Sequence, residues 1–382
     1  MSRHRVFLLS HHGRDVPGGA PLADTALAAA LSELGHEADL LFYGDVLPGP
    51  VRATWRQLLF PWAAAVAFLR RHPERRYDVI ESTAGDAWVI RLLLPLFSGE
   101  RPLLSLRTHG LEPRRAEADL ARLLREGKPP GLPTRLYHFR WRLAEVARDL
   151  RAADAVFLLN QEDARYAVER LGLPPERVHV LPNGLPGELL SLPETDGSPE
   201  RGFRLLFVGA WSPAKGADLL PGIVRRVFAR DARFRLTCAG TGETEERVLA
   251  GFDPADRGRI AVVPRFGRGE LPGLLLAHGV FLFPSPAEGS SLALLEAMAG
   301  GLVPVTTRTG QAADLIEPGG NGFLAEAGDA DGFAAAVLAA TKDPETARRL
   351  GKNARASVSG FSWKSRAAER VRIWDGLARE AA

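Results

Sequence analysis

The sequence is poor in cysteine, with Cys238 as the single example in 382 residues. One thiol allows neither a disulfide within the chain nor a cysteine zinc cluster, so the fold has to be stabilised by its hydrophobic cores. Cys238 lies in the apolar run 234–239, and we predict that it is a buried core residue. The lack of disulfides is typical of a reducing compartment, and the cytoplasm is the predicted location.

Long hydrophobic segments are lacking as well. A helix needs about 18 to 20 apolar residues to cross a bilayer. The longest run here, 58–69, is shorter and is followed by Arg70 and Arg71. The N-terminus has a basic start and a very short apolar stretch, which predicts a first strand and not a signal peptide. With 46% hydrophobic residues, a chain of this length is expected to form two cores of ordinary size.

Lysine is scarce, and most of the 49 basic residues are arginines. The net charge of +3 is small, and no dense basic stripe is present, so we expect no nucleic-acid partner. The first half does contain an arginine cluster alongside aromatic residues: Arg114, Arg115, Arg122, Arg125, Arg135, Arg140, Arg142 and Arg148 with Trp55, Trp62, Tyr137, Phe139 and Trp141. This mixture suits peripheral contact with an anionic membrane, although core helices rimmed by arginines would have the same composition.

Strands and helices alternate along the whole chain. Apolar strands are predicted at 6–9, 38–42, 79–80, 103–106, 155–159 and 178–181, and again at 204–208, 234–239, 260–263, 280–283 and 303–306. Helical stretches between them, such as 23–34 and 137–150, indicate parallel sheets covered on both faces. The predicted fold class is therefore α/β, with two doubly wound domains. A connector rich in proline and glycine, 183–202, marks their boundary. Ligands of such sheets bind outside the carboxyl ends of the strands, so we expect the site in a cleft between the domains.

The most informative segment is 284–307, in which two carboxylates flank a turn that opens an apolar helix. Gly289, Ser290 and Ser291 supply small residues where this helix is predicted to begin, and the first amides of a helix favour a phosphate. A carboxylate would repel a phosphate, so Glu288 and Glu296 are expected to hold sugar hydroxyls. For either glutamate alone, a simpler interpretation is a charge that complements the helix dipole or a solvated helix residue.

The whole segment resembles the Glu-x7-Glu region of the retaining GT-B glycosyltransferases of family four (glycosyl transferases group 1). The matching residues are Pro284, Ser285, Glu288, Gly289, Leu292, Leu295 to Ala299, Gly301, Pro304 and Val305. The resemblance implies two Rossmann-like domains facing across a cleft. The acceptor-side domain would span 1–186 with a returning C-terminal helix, 364–382, and the donor-binding domain 187–363.

Further loops extend the resemblance to the donor site. The loop 208–216 ends in Lys-Gly, which implies that Lys215 meets the donor diphosphate, although a lone surface lysine would also fit the pattern. The remaining donor-binding residues implied by the resemblance are Gly209, Gly240, Arg265, Glu288, Gly289, Ser290, Ser291, Leu292 and Glu296. Many family members have arginine where this chain has Ala210, so one cation for the donor phosphate is either missing or supplied by another residue such as Arg265 or Arg268. They also commonly have Phe-Gly in place of Ser290 and Ser291.

In the first domain, Gly18 and Gly19 follow the first strand and resemble the glycine-rich loop that closes over the donor. His109 follows the strand 103–106 and resembles the family histidine that contacts the transferred sugar. The expected catalytic residues are therefore His109, Lys215 and Glu288. A hydrogen-bonded loop histidine is the alternative. The segment 81–86 ends a neighbouring strand and is expected to line the acceptor pocket.

The resemblance implies transfer of a sugar from a nucleotide-diphosphate donor to an acceptor hydroxyl with retention, in the synthesis of an envelope polysaccharide, glycolipid or glycoside. No cofactor and no metal are expected. Arginine and aromatic residues in the first half favour an anionic or lipid-linked acceptor at the inner face of a membrane. Two alternatives stay open: an epimerase or phosphorylase-like enzyme on the same fold, and a catalytically weak partner subunit that has lost donor binding.

Overall fold

A computed structural model describes residues 3–14, 19–47, 49, 53–96, 101–125, 127–195 and 198–381. The chain divides into two compact units. Unit 1 contains residues 1–184 and 363–382, and unit 2 contains residues 185–362. The C-terminal helix therefore belongs to unit 1, although its sequence follows unit 2.

Each unit has a six-stranded sheet in which every pair of neighbouring strands is parallel. In unit 1 the strands are β1 (Arg5–Ser10), β2 (Glu37–Phe42), β3 (Val79–Thr83), β4 (Leu103–Arg107), β5 (Ala155–Leu158) and β6 (Val178–Val180), in the order β2-β1-β3-β4-β5-β6. In unit 2 they are β7 (Arg204–Val208), β8 (Arg235–Ala239), β9 (Ile260–Val263), β10 (Val280–Phe283), β11 (Val303–Thr307) and β12 (Phe323–Ala325), in the order β12-β11-β10-β7-β8-β9. The predicted α/β class with two Rossmann-like domains is confirmed.

Helices connect the strands. Those of unit 1 are α1 (Gly19–Glu33), α2 (Tyr43–Val46), α3 (Ala53–Arg75), α4 (Trp88–Leu93), α5 (Glu112–Arg125), α6 (Leu132–Thr134), α7 (Leu143–Ala152) and α8 (Gln161–Glu169), and a π-helical stretch, Arg135–Arg142, leads into α7. Unit 2 contains α9 (Gly187–Leu190), α10 (Pro199–Gly202), α11 (Leu220–Arg230), α12 (Glu245–Leu249), α13 (Leu271–Ala277), α14 (Leu292–Ala299), α15 (Gly310–Leu315), α16 (Ala330–Ala340) and α17 (Pro344–Val358), and α18 (Trp363–Ala381) returns to unit 1. In the part of the chain that the structure describes, no helix combines the length and apolarity that crossing a membrane requires.

Burial of both sheet faces explains why these strands read as continuous apolar runs. In unit 2 the strand β10 is buried along its whole length, and Cys238 is a fully buried member of the same core. In unit 1 one face of the sheet is covered by α18, whose Val371 and Trp374 pack with Val6 and Leu8 of β1. The apolar face of the last helix therefore completes the core of unit 1.

The strand order also determines where a crevice forms at the edge of each sheet. In unit 2 the chain moves from β7 outward to β9 and then crosses to place β10 on the other side of β7. In unit 1 it moves from β1 to β2 and then crosses to place β3 on the other side of β1. Connections leave in opposite directions at such a switch point, so a crevice forms at the carboxyl ends of the two strands. The loops after β7 and β10, and those after β1 and β3, are thus placed to bind ligands.

Candidate functional site

The two loops at the switch point of unit 2 are joined by an ion pair. The Lys215 Nζ lies 2.5 Å from the Glu288 Oε1, and Lys215 follows β7 whereas Glu288 follows β10. The Ser285 hydroxyl oxygen lies 2.9 Å from the same carboxylate oxygen and 2.7 Å from the Ala214 carbonyl oxygen, and its single proton can be donated to either. The lysine side chain is 35% exposed and the glutamate 17% exposed. A charged pair is therefore held at the crevice while its cation stays within reach of solvent.

Two glycines allow these loops to approach closely. A Cβ on Gly216, where φ is +74°, would lie 2.2 Å from the Pro284 carbonyl oxygen. A Cβ on Gly310, where φ is +50°, would lie 1.9 Å from the Glu288 carbonyl oxygen. Both positions combine left-handed backbone with contacts that no side chain tolerates. Glycine at these sites is therefore required for the observed position of Glu288.

The helix after Glu288 is α14, which begins at Leu292. The Ser291 hydroxyl accepts from the Leu294 amide at 3.2 Å and so acts as the N-cap. The Ser290 hydroxyl donates to the Gln311 side-chain oxygen at 2.5 Å. The amide of Leu292 lies in the first turn, where an anion is favoured by the helix dipole. The serines that replace Phe-Gly thus serve the local structure of the turn.

Glu296 lies on α14 and is held by a different cation. The Arg268 guanidinium donates to its carboxylate at 2.8 Å, and the Glu296 side chain is only 7% exposed. Burial raises the pKa of Glu296, and Arg268 opposes that shift. Arg265, the other arginine named for the diphosphate, has an exposed side chain on the same loop. The two glutamates therefore have separate cationic partners, Lys215 and Arg268.

The predicted glycines of unit 2 lie at successive strand ends. Gly209 follows β7, and its amide donates to the Ala239 carbonyl at 3.0 Å. Gly240 follows β8, and its amide donates to the Val263 carbonyl at 2.8 Å. The loops after β7, β8 and β9 are thereby stacked at the carboxyl edge of the sheet, where a nucleotide could lie against backbone.

In unit 1, His109 follows β4 and points toward a buried charge. Its Nε2 lies 3.3 Å from the Asp24 Oδ1 on α1, and Asp24 also accepts from the Arg107 Nε at 3.0 Å. Burial alone would raise the pKa of Asp24, but Arg107 and His109 hold it far below its usual value. Gly19 is the first residue of α1 and is exposed, whereas Gly18 lies outside the described residues.

A second histidine at this edge was missed by the sequence interpretation. The His11 Nδ1 lies 2.6 Å from the Asp86 Oδ2, and these residues follow β1 and β3, the two strands of the switch point in unit 1. Burial lowers the pKa of His11, but Asp86 more than offsets this effect, so that the pKa lies above its ordinary value. The position of His11 directly after the first strand was the available signal.

Two predicted roles are wrong for particular residues. Glu81 was expected to line the acceptor pocket, but its side chain is fully buried and accepts from Ser105 and Arg370. Arg142 was counted among the membrane-facing arginines, but its side chain is 2% exposed and it donates to the Gly85 carbonyl at 2.8 Å. Both residues hold elements of unit 1 together.

The side chains at these edges do not resemble a metal centre. Across the described ranges, no group of three or more histidine, cysteine, aspartate or glutamate side chains is arranged to hold a metal ion. The groups available for binding at these edges are ion pairs, hydroxyls and backbone amides.

Comparison with protein families gives two adjacent matches. Residues 3–188 match the model described as Glycosyltransferase Family 4, and residues 192–357 match the model described as Glycosyl transferases group 1. Among similar curated proteins, the MMP alpha-(1->4)-mannosyltransferase of Mycolicibacterium hassiacum is 27% identical, over 99% of this chain and 100% of that protein. The phosphatidyl-myo-inositol mannosyltransferase of Mycolicibacterium smegmatis is 26% identical, over 97% of this chain and 93% of that protein.

Solved structures show the same fold at low sequence identity. The sucrose-phosphate synthase of Thermosynechococcus elongatus superposes with a TM-score of 0.77 at 20% identity, covering 99% of this chain and 100% of that one. The Anabaena protein HepE, solved in complex with UDP, superposes with a TM-score of 0.69 at 17% identity, covering 97% and 100% of the two chains.

Proposed function

Because the chain belongs to the family-four glycosyltransferases and is thus a glycosyltransferase enzyme, we propose that it moves a sugar from a nucleotide-diphosphate donor to an acceptor hydroxyl with retention. The observation that supports this proposal most strongly is the Lys215–Glu288 pair at the switch point of unit 2. We assign its cation to the diphosphate and its carboxylate to sugar hydroxyls.

Leaving-group stabilisation is the role that we assign to Lys215. As the bond between the sugar and the diphosphate breaks, negative charge builds on the phosphate oxygens. The Lys215 ammonium and the first amides of α14 provide positive charge there, which lowers the barrier to bond cleavage. Lys215 would then be shared between Glu288 and the diphosphate. The UDP complex of HepE supports a nucleoside diphosphate as the leaving group.

The glutamates are assigned to hydroxyls. Glu288 would accept from the hydroxyls of the transferred sugar, with its carboxylate oriented by Ser285 and Lys215. Glu296 would accept from the ribose diol, with its buried carboxylate oriented by Arg268. The contact of His109 with the transferred sugar stays a prediction from the sequence.

We assign retention of the anomeric configuration to attack by the acceptor oxygen on the same face of the sugar from which the leaving group departs. The acceptor oxygen forms a bond to the anomeric carbon, the bond to the phosphate oxygen breaks, and that oxygen takes the acceptor proton. Neither Glu288 nor Glu296 then needs to act as a nucleophile. We expect the product to have the same anomeric configuration as the donor, as read from the one-bond C–H coupling and the H1–H2 coupling in NMR spectra. An inverted product would exclude this proposal, and an altered free sugar or a sugar phosphate would favour the epimerase or phosphorylase alternative.

The acceptor is assigned to the carboxyl edge of unit 1, where His11 is oriented by Asp86. The curated relatives are named for mannosyl transfer to MMP and to phosphatidyl-myo-inositol, which supports a polar or lipid-linked acceptor in envelope glycolipid or glycoside synthesis. Work at the inner face of a membrane, with the enzyme bound peripherally from the cytoplasm, is the corresponding location.

Replacing His11 tests the acceptor assignment. We expect His11→Ala to raise the KM for the acceptor about tenfold or more, since one hydrogen-bonding group is lost, while hydrolysis of the donor by water continues at the wild-type rate. His36→Ala is the matched control, because this histidine lies in the turn before β2, away from the switch point. An unchanged acceptor KM in His11→Ala would refute the assignment.

A further inference from the structure

The exposed apolar side chains of this protein are unevenly distributed. Among the described residues, every large hydrophobic side chain that is exposed belongs to unit 1. Five of them lie on α3: Trp55, Leu59, Trp62, Val66 and Leu69, with exposed fractions of 57%, 42%, 57%, 47% and 43%. Scattered exposed leucines are ordinary on a protein surface, but such a concentration on one helix marks an interaction site.

These five residues form one continuous face, which we call the α3 apolar face. They are spaced four, three, four and three residues apart, so that all of them lie on one side of the helix. The opposite side carries Phe60, Ala64 and Phe68, which are buried in the core of unit 1. No polar side chain between positions 55 and 69 is exposed. The solvent side of α3 is therefore as apolar as its core side.

A neighbouring helix widens this surface. The ring of Trp62 contacts that of Trp88 on α4 edge-on, with 5.4 Å between the ring centroids. Leu92 lies one helical turn beyond Trp88 and is 55% exposed. The surface thus extends from α3 onto α4. This width favours a partner with a flat surface over one that inserts a narrow segment.

The charges around the α3 apolar face are predominantly positive. Between residues 53 and 73, α3 has no acidic side chain, and Glu74 is the only one in the helix. Arg70 directly follows the apolar face and is exposed, whereas Arg71 is paired with Asp39 at 3.2 Å. Tryptophan and leucine beside unpaired arginine is the composition of helices that lie in the headgroup region of an anionic bilayer.

We propose that the α3 apolar face is the membrane-docking surface of this protein, and that its partner is an anionic lipid bilayer. The helix would lie parallel to the membrane plane, with its apolar side chains below the phosphate groups and Arg70 beside them. Pairing with a second copy of the chain would also bury the face. The absence of carboxylates along it, which a self-complementary pair could use to match the arginines, favours lipid.

This surface shares Trp55 and Trp62 with the one that the sequence suggested, but not its arginines. The sequence pointed to the arginine cluster of residues 114–148, but Arg114 is paired with Glu162 and Asp163, and Arg142 is buried. The run 58–69, too short to cross a bilayer, supplies instead a helix that can lie on one. The proposal deepens the location given under the proposed function, but its test needs neither donor nor acceptor.

The test is sedimentation of the full chain with vesicles of phosphatidylcholine, with and without phosphatidylglycerol. We expect the wild type to bind the anionic vesicles and the double variant Leu59→Glu, Val66→Glu to bind at least about tenfold more weakly, because two carboxylates would enter the apolar and anionic interface. Leu124→Glu is the matched control, a leucine on α5 that is 57% exposed, and it should bind as the wild type does.

A second measurement does not depend on the variants. Brominated lipids quench tryptophans that enter the acyl region, so wild-type fluorescence should fall on binding, and Trp62→Phe should reduce the quenched fraction. The proposal is overturned if the wild type does not sediment with anionic vesicles, if the double variant sediments equally well, or if Leu124→Glu loses binding to the same extent. It is also overturned if light scattering shows a dimer that the double variant dissociates while neither protein binds lipid. Each of these results would overturn the membrane proposal without affecting the proposed sugar transfer, which is measured separately.

Discussion

Lys215→Ala should reduce the rate of sugar transfer by roughly 100- to 1,000-fold or more, because the leaving diphosphate would lose a positive charge placed where negative charge develops. The lysine is the cation that the unit 2 switch point offers from the loop after β7, and it lies 2.5 Å from Glu288. Its removal should affect kcat and kcat/KM together, since the lost interaction grows in the transition state. Initial rates at several donor concentrations measure this.

The fold should survive this substitution. Lys215 is 35% exposed, and an ion pair of this exposure contributes about 1 kcal/mol or less to stability. Lys342→Ala is the matched control, an exposed lysine of unit 2 at the end of α16, and it should retain full activity. Full activity in Lys215→Ala, with an unchanged thermal transition, would show that the diphosphate lies elsewhere.

Glu288→Ala should also lower transfer by about 100-fold or more, because the sugar would lose the carboxylate that fixes its orientation toward the acceptor. The effect has a second component, since Lys215 would lose its partner and could bind the diphosphate without competition. We therefore expect binding of the free nucleoside diphosphate to be kept or strengthened while transfer is lost. Parallel measurement of nucleotide affinity and turnover separates the two components.

Two further variants sharpen this result. Glu288→Gln keeps the size of the side chain and removes its charge, so it should lie between the wild type and Glu288→Ala in turnover. Glu326→Ala removes a carboxylate that is 77% exposed and should have no effect. If Glu288→Ala weakened nucleotide binding and turnover equally, the carboxylate would be acting on the nucleotide, and its assignment to the sugar would be wrong.

The fold could be predicted because buried parallel strands leave a strong local pattern. All strands expected from apolar runs are present, with ends that agree to within one residue except in β3, which ends three residues later than expected. The one strand that was not expected, β12, has three residues at the edge of its sheet, too short to differ from loop sequence. Residues 137–150 were expected as a single helix, and a π-helical stretch precedes α7 there.

The candidate site was predictable only where a motif is contiguous. Glu288, Glu296 and Lys215 were predicted from contiguous motifs, and the structure adds their ion pairs. The His11–Asp86 pair joins residues 75 positions apart, and its existence depends on β3 crossing to lie beside β1. Whether a side chain is exposed also depends on residues that are distant in the sequence. The sequence shows that Arg142 is charged and that Val66 is apolar, yet the arginine is buried and the valine is exposed.

Titration of the wild-type chain and Lys215→Ala with UDP, GDP, ADP and dTDP, followed by calorimetry, tests the central claim most directly. We expect at least one nucleoside diphosphate to bind the wild type, and Lys215→Ala to bind the same nucleotide at least about tenfold more weakly, because a charge-assisted contact to phosphate is lost. If none of the four nucleotides binds either protein, the assignment of a donor site to unit 2 is contradicted, and a partner subunit without donor binding is favoured.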